Sequence, residues 1–202
     1  MGVRTWLKPR VQDLVMRQMN PLRDDTVSLA EGDVLEIGFG TALNLAHYGP
    51  AVKTLVGLDP MEVADVTSVQ RRIASAAFPV ERKTLRADGG LPFDAGRFDT
   101  VVTTWTLCSI PQVAEALREM RRVLKVGGRY VFVEHGRAET ESTARWQDRI
   151  DPYWTRVCDG CHINRKIDRL VEEGGFEMIR LDRFRAAGPG IAAQMFRGVA
   201  TR

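Results

Sequence analysis

Short apolar runs broken by glycine alternate with amphipathic stretches along this chain. Asp33-Val34-Leu35-Glu36-Ile37 ends at Gly38-Phe39-Gly40 and reads as a buried strand; helix-compatible residues continue to about His47. Residues 53–58 form a second strand that stops at Asp59-Pro60. Residues 62–77 read as a helix, 80–87 as a weaker strand, and 98–104, rich in β-branched side chains, as a clear one. Val113, Ala116, Leu117, Met120, Val123 and Leu124 make a helical stripe over 113–125, with Gly127-Gly128 expected as its cap. Residues 130–134 are the next strand, helices are expected near 143–157 and 163–174, and two strands, 176–184 and 191–199, close the chain.

Seven strands alternating with helices predict an α/β domain, a mostly parallel seven-stranded sheet flanked by helices on both faces. No linker or repeat interrupts residues 32–202, so they are read as a single domain behind an N-terminal helical extension, 1–31. In that extension Val3, Trp6, Leu7, Val11, Leu14 and Val15 share a face. The expectation is a helix packed on the domain or closing a site; peripheral membrane contact is the alternative, which Pro9 weakens.

The composition, 44% apolar and 27% charged over 202 residues, is that of an ordinary globular protein. The net charge of +3, from 29 basic and 26 acidic residues, gives no reason to expect a nucleic-acid partner. No apolar run approaches the roughly 18–20 residues of a membrane span. No signal peptide is seen, and Trp6 breaks the myristoylation pattern that Met1-Gly2 begins. Three cysteines without a secretory signal point to free thiols in a reducing cytoplasm. The oligomeric state is not legible.

In an open α/β sheet, ligands lie beyond the carboxyl ends of the strands. There, Gly38 and Gly40 allow a tight turn against a ligand, and Asp59, 21 residues past Gly38, can accept hydrogen bonds from two ribose hydroxyls. A dinucleotide fingerprint would continue to a small residue where Leu43 stands, which opposes a nicotinamide-dependent oxidoreductase. No phosphate-loop Gly-Lys-Ser/Thr is present there either. A nucleoside without a pyrophosphate fits better.

The run Val34-Leu35-Glu36-Ile37-Gly38-Phe39-Gly40-Thr41 resembles motif I of class I S-adenosylmethionine (SAM)-dependent methyltransferases, with Ala42 in place of a third glycine. Leu91-Pro92-Phe93 with Phe98-Asp99 resembles their L-P-F…F-D stretch. Arg121-Arg122-Val123-Leu124-Lys125-Val126-Gly127-Gly128 resembles their R-V-L-K-P-G-G stretch, with Val126 where proline is usual. The resemblance implies the Rossmann-like fold of that class, with SAM as cofactor and S-adenosylhomocysteine as product. It also implies that Glu36 orients the methionine amino group, that Gly38 and Gly40 face the cofactor, and that Asp59 holds the ribose. Asp88 would meet the adenine amine beside Gly89, and Thr104 would line the methionine side; Asn44 and Pro60 are counted with them.

A narrower resemblance lies in Thr104-Trp105-Thr106-Leu107-Cys108-Ser109-Ile110-Pro111, Val133-Glu134-His135, and Asp151-Pro152 with Asp159-Gly160-Cys161-His162. Together they resemble the methyltransferase-like family that includes alkyl thiol methyltransferases of animals. Animal members carry an N-terminal hydrophobic anchor, and no such run is seen here. The resemblance implies a small-molecule acceptor, preferably a thiol. The alternatives are a small O-, N- or C-nucleophile such as a lipid or quinone precursor, or a SAM-binding protein without catalysis. Thr104-Trp105-Thr106-Leu107 lacks the [D/N]-P-P-[Y/F] clamp of enzymes that methylate exocyclic amines, and no acidic cluster suggests a hard metal.

Since the thiolate is the nucleophile, a base is useful, and His135 and His162 are the catalytic candidates; His47 is expected on the surface. Each candidate has a bland alternative, a ring that merely ties down the backbone. Trp105, Cys108, Trp146 and Cys161 are expected to line the acceptor pocket. Cys158-Asp159-Gly160-Cys161-His162 spells a c-type haem motif but lacks the export context for it. Zinc on Cys158, Cys161 and His162 would need a fourth ligand, which Cys108 supplies only if the fold brings it close. A redox dithiol is the third reading. The expectation is that neither metal nor haem is required.

Overall fold

The computed structural model describes residues 16–60, 66–187 and 190–202. The apolar face expected over residues 3–15 lies outside them. Seven strands, β1 (Gly32–Ile37), β2 (Val52–Asp59), β3 (Val80–Thr84), β4 (Phe98–Thr104), β5 (Leu124–His135), β6 (Glu177–Arg185) and β7 (Gln194–Thr201), form one sheet in the order β3-β2-β1-β4-β5-β7-β6. The helices are α1 (Asn20–Val27), α2 (Val66–Ala74), α3 (Val113–Val123), α4 (Glu141–Val157) and α5 (Ile167–Glu173).

Alternation along the central strands divides the core into two layers. Leu35 and Ile37 of β1, Val101 of β4, and Tyr130 and Phe132 of β5 face one side, under Leu117 and Met120 of α3 and Ile167 and Val171 of α5. Val34, Val102 and Val131 face the other, with Val27 of α1 and Val69 of α2. Burying each large side chain contributes about 1.5–3 kcal/mol, and a one-residue slip would exchange the two layers, so the register is strongly fixed.

The sheet is mixed. β1 to β5 pair in parallel, but β7 runs antiparallel to both β5 and β6. Only residues 186–193 join β6 to β7, too few for the dozen or so residues of a parallel crossover. The expected glycine cap also differs. α3 ends at Val123, Leu124 is already extended, and Gly127-Gly128 lies within β5. Phe98 pairs with Leu124 but Thr100 with Arg129, so residues 125–128 bulge from the ladder.

β1 sits between β2 and β4, where the chain's winding reverses. The carboxyl ends of β1, β2, β4 and β5 therefore edge the crevice in which such sheets take ligands.

Candidate active site

The turn after β1 is held by its own packing. Gly38 has φ +80°, and a Cβ there would collide with the Thr106 side chain; Phe39 turns inward so closely over Gly57 of β2 that a side chain at 57 would meet its ring. Gly38 and Phe39 both donate to the Leu58 carbonyl, at 2.8 and 3.0 Å. Ala42, in the position of the third motif glycine, takes up the left-handed conformation, φ 63°. The chain then forms a short 3-10 turn, Leu43–His47, rather than an α-helix. His47 is not a surface residue: its ring is largely buried and its Nδ1 lies 2.6 Å from Asp24 of α1.

Glu36 is buried in this crevice and accepts from Asn44 Nδ2 at 2.8 Å and the Tyr48 hydroxyl at 2.7 Å. Burial lifts its carboxyl to about 7, against the pull of those hydrogen bonds and the Arg23 guanidinium. Asn44 also donates to Thr104 Oγ1 at 2.9 Å and accepts from Arg23 Nε at 2.8 Å. Arg23, only 3% exposed, stacks over the Trp105 ring at 4.7 Å. One network thus ties α1, the end of β1, the 3-10 turn and the end of β4.

Asp59 closes β2 and accepts the Gly40 amide at 2.8 Å, placing its carboxylate against the glycine turn; Pro60 comes next, in an exposed bend. Asp88 lies in a 3-10 turn, Ala87–Gly89, where Arg86 grips it through two hydrogen bonds, 3.0 and 2.9 Å, and holds its carboxyl below the usual range. Beside it, Gly89 has open space where a Cβ would stand. A turn with no room for a side chain at Gly38, a buried acidic network, a strand-end carboxylate and an open glycine form a cradle that fits the amino-acid and nucleoside ends of SAM.

The segments expected to meet an acceptor lie beyond β4 and β5. Trp105 takes a left-handed conformation, φ 51°, and its amide donates to the Val133 carbonyl at 2.9 Å. The chain then turns over Glu134, whose Oε2 accepts the Thr106 and Leu107 amides at 2.8 and 3.2 Å. Burial raises Glu134 to about 7. This turn delivers Cys108 to His135 and Cys161: the donor atoms of these three lie within 4.8 Å of one another, and Cys161 Sγ is 3.2 Å from His135 Nε2. Hydrogen bonding from the Cys108 thiol and from His135 holds Cys161 down at about 4, while the Cys108 thiol is pushed up.

His162, the next residue, belongs to another pair, its Nδ1 lying 2.7 Å from Asp151 Oδ2 of α4. The loop is anchored on both sides. The His162 amide donates to the Cys108 carbonyl at 2.9 Å, and Arg165 reaches back to the Leu107 and Ile110 carbonyls. Gln147 of α4 is fully buried, shares its Nε2 hydrogens among the Gly136, Ile163 and Ile191 carbonyls, and accepts the Ala138 amide.

The helix α4 corrects one expectation. Ala144, Gln147 and Asp151 mark its inward face, so Trp146 falls on the outer one, 57% exposed beside Arg149. The indole near the thiols is that of Trp154, whose Nε1 is buried with no hydrogen-bond partner among the described residues. Arg23, Tyr48, Glu134, Asp151 and Trp154 are not among the site residues expected from sequence. The Glu134-His135 and Asp151-Pro152 segments stand out in the sequence, but the roles of these side chains depend on contacts it does not display.

The Methyltransferase domain family matches residues 35–132, which span the glycine turn, Asp59, Asp88, the end of β4 and β5 as far as Phe132. These residues are a methyltransferase domain, on the fold of the SAM-dependent methyltransferases. SAM is the cofactor of that family, and the cradle fits it. Thiol S-methyltransferase TMT1A of Homo sapiens is 31% identical over 155 residues, which cover 76% of this chain and 63% of that protein. The chain therefore spans less than two thirds of that relative. A SAM-dependent methyltransferase of Methanosarcina mazei superposes with a TM-score of 0.65 at 21% identity, covering 86% of this chain and 94% of that one. The [4+2]-cyclase SpnF does so with a TM-score of 0.68 at 17% identity, covering 92% and 80%. At those identities the shared property is the fold, which supports more than one chemistry. Among the described residues no helix is long and apolar enough to cross a membrane.

Proposed function

We propose that this chain transfers the methyl group of SAM to a small-molecule thiol, with His162 taking the thiol proton. The observation that carries the reading is the His162–Asp151 pair on the acceptor side: with Nδ1–H directed to the carboxylate, Nε2 carries the ring's basic lone pair. SAM, when bound, supplies a methyl group on a sulfonium that leaves as a neutral thioether. Glu36, through the Asn44–Arg23 network, orients the amino end, and Asp59 takes the ribose. The Trp105 turn sets the acceptor beyond Thr104. Such alignment supplies most of the acceleration, because the methyl is already activated. The thiol S–H bond breaks to His162 as the new S–C bond forms, so charge and protons balance.

His135 is the other expected base. Its Nε2 is engaged with Cys161, which favours His162 for the proton transfer. The similarity to a thiol S-methyltransferase supports a thiol acceptor, and cysteines outside any disulfide fit a reducing, cytoplasmic setting. Full-length protein with SAM and a panel of small thiols, phenols, amines and quinone precursors tests this by release of S-adenosylhomocysteine. Turnover confined to thiols is expected. Turnover confined to another acceptor class removes the thiol, and SAM binding without any turnover leaves a binding protein.

A further inference from the structure

Cys108, His135 and Cys161 come from three separate segments, the turn after β4, the end of β5 and the loop after α4. Their sequence spacing resembles no metal motif; the fold alone assembles them. Cys108 and His135 are buried, Cys161 is half-buried, and neither cysteine is in a disulfide. Beyond this cluster the Cys108 thiol meets only the Trp105 carbonyl, at 3.6 Å, and the Ser109 hydroxyl, at 3.4 Å, among the described residues. His135 Nδ1 is buried with no hydrogen-bond partner among the described residues. Two soft sulfurs and an imidazole nitrogen, with their atoms within 4.8 Å of one another, are thus left chiefly to each other.

We infer that Cys108 Sγ, Cys161 Sγ and His135 Nε2 form a zinc site with a fourth position open on the Cys161 side. Two thiolates and an imidazole suit a borderline-soft ion and exclude calcium and magnesium, which take oxygen. Three protein ligands and one open position are the count of a catalytic rather than a structural zinc site. Zinc binding needs both sulfurs as thiolates and the imidazole neutral; any proton they hold passes to solvent, and the bound ion makes the three donors mutually compatible. The site differs from the one the Cys158-Asp159-Gly160-Cys161-His162 run suggests. His162 is committed to Asp151, and Cys158 is not among the three. The open position lies on the acceptor side, where it would bind a thiol as thiolate. That last role rests on the proposed thiol methylation; the metal assignment does not.

The test is metal analysis of the full chain, grown with zinc and purified anaerobically without chelator. About one zinc per chain is expected, the stoichiometry of a single three-ligand site. Cobalt exchanged into the site should show thiolate-to-cobalt charge transfer and the visible bands of tetrahedral cobalt. Cys108→Ser and Cys161→Ser should each lower zinc content at least roughly tenfold, and Cys158→Ser should leave it unchanged. Calorimetric SAM binding identifies variants that remain folded. Where a single variant does not fold, protection of Cys108 and Cys161, but not Cys158, from alkylation by zinc in the unaltered chain replaces it. Zinc below a tenth per chain without cobalt bands overturns the site, as does a Cys108–Cys161 disulfide in the purified protein. Zinc that survives both substitutions, or is lost only with Cys158, is adventitious or elsewhere and also overturns it. Thiol turnover by metal-free protein would overturn the thiolate-binding role given to zinc and leave the proposed function standing. Stoichiometric zinc without thiol turnover would do the reverse.

Discussion

Asp151 holds His162 and the backbone behind it with a single carboxylate: Oδ2 lies 2.7 Å from the ring Nδ1, and Oδ1 accepts the Ile163 amide at 2.9 Å. Asp151→Asn can keep the Ile163 bond through its amide oxygen. Its NH2 would then face Nδ1 and favour the tautomer with hydrogen on Nε2, which removes the proton acceptor. Thiol methylation should fall roughly 10²-fold or more in kcat, with SAM affinity nearly unchanged. The rate should also lose whatever pH-dependent limb a general base contributes. Single-turnover rates across pH, beside a melting curve, separate this from a structural role. Loss of melting temperature with the wild-type pH profile would leave Asp151 as a loop anchor only.

Glu36 is expected to set a pH dependence on cofactor binding. Its carboxyl stands at about 7 in the folded protein against 4.5 in its ordinary state. The folded protein therefore holds a proton the unfolded chain has released between those values. Through this group the free protein loses stability as pH rises from about 4.5 to 7, and Glu134, also at about 7, adds a second contribution of the same sign. The ammonium of SAM prefers the ionised carboxylate. SAM affinity should thus rise with pH, by up to about tenfold per unit, and level off above about 7. Calorimetry in buffers of different ionisation enthalpy should show proton release on binding below that pH. Glu36→Gln should flatten the profile; a profile that persists in this variant would place the titrating group elsewhere.

Much of this site is legible in the sequence because its signals are local. Glycine turns, β-branched runs and a strand-end aspartate report the geometry of their own few residues, and these mark the cofactor edge. The rest depends on distant partners. Gly127-Gly128 resembles a helix cap until the pairing of Phe98 with Leu124 shows the strand already begun. Arg23, in a short helix before the sheet, reveals its role only where the fold lays it on Asn44 and Trp105. The Cys108–His135–Cys161 group spans three segments and has no spacing rule. The antiparallel last strand, by contrast, is within reach of sequence, since the few residues expected between the last two strands already require an antiparallel pair.

Two glycines should separate packing from ligand contact. Gly38→Ala puts a Cβ into Thr106 at φ +80°, so it should lower stability even without cofactor, by on the order of 1–2 kcal/mol from the left-handed backbone alone. Gly89 has an ordinary backbone and open space around its missing Cβ. Gly89→Leu should melt within about 0.5 kcal/mol of the unaltered protein, yet bind SAM roughly tenfold or more weakly if the adenosine lies there. Unchanged SAM affinity in Gly89→Leu would move the adenosine away from this turn.

Arg23 ties the first described helix to the cofactor chemistry. Its guanidinium bonds Asn44 and Met16, stacks on Trp105, and lowers the Glu36 pKa by its charge. Arg23→Met keeps much of the buried volume and removes the charge. Glu36 should then titrate higher, the direction expected from losing an opposite charge at short range. SAM binding near pH 7 should weaken several-fold and recover toward the unaltered value near pH 9. The variant itself should lose about 1–3 kcal/mol of stability from the unpaired Asn44 oxygen. The affinity-against-pH curve decides between an electrostatic and a packing role. A parallel drop at every pH would mean that Arg23 only braces the helix against Trp105, whereas a displaced midpoint shows that the charge itself tunes Glu36.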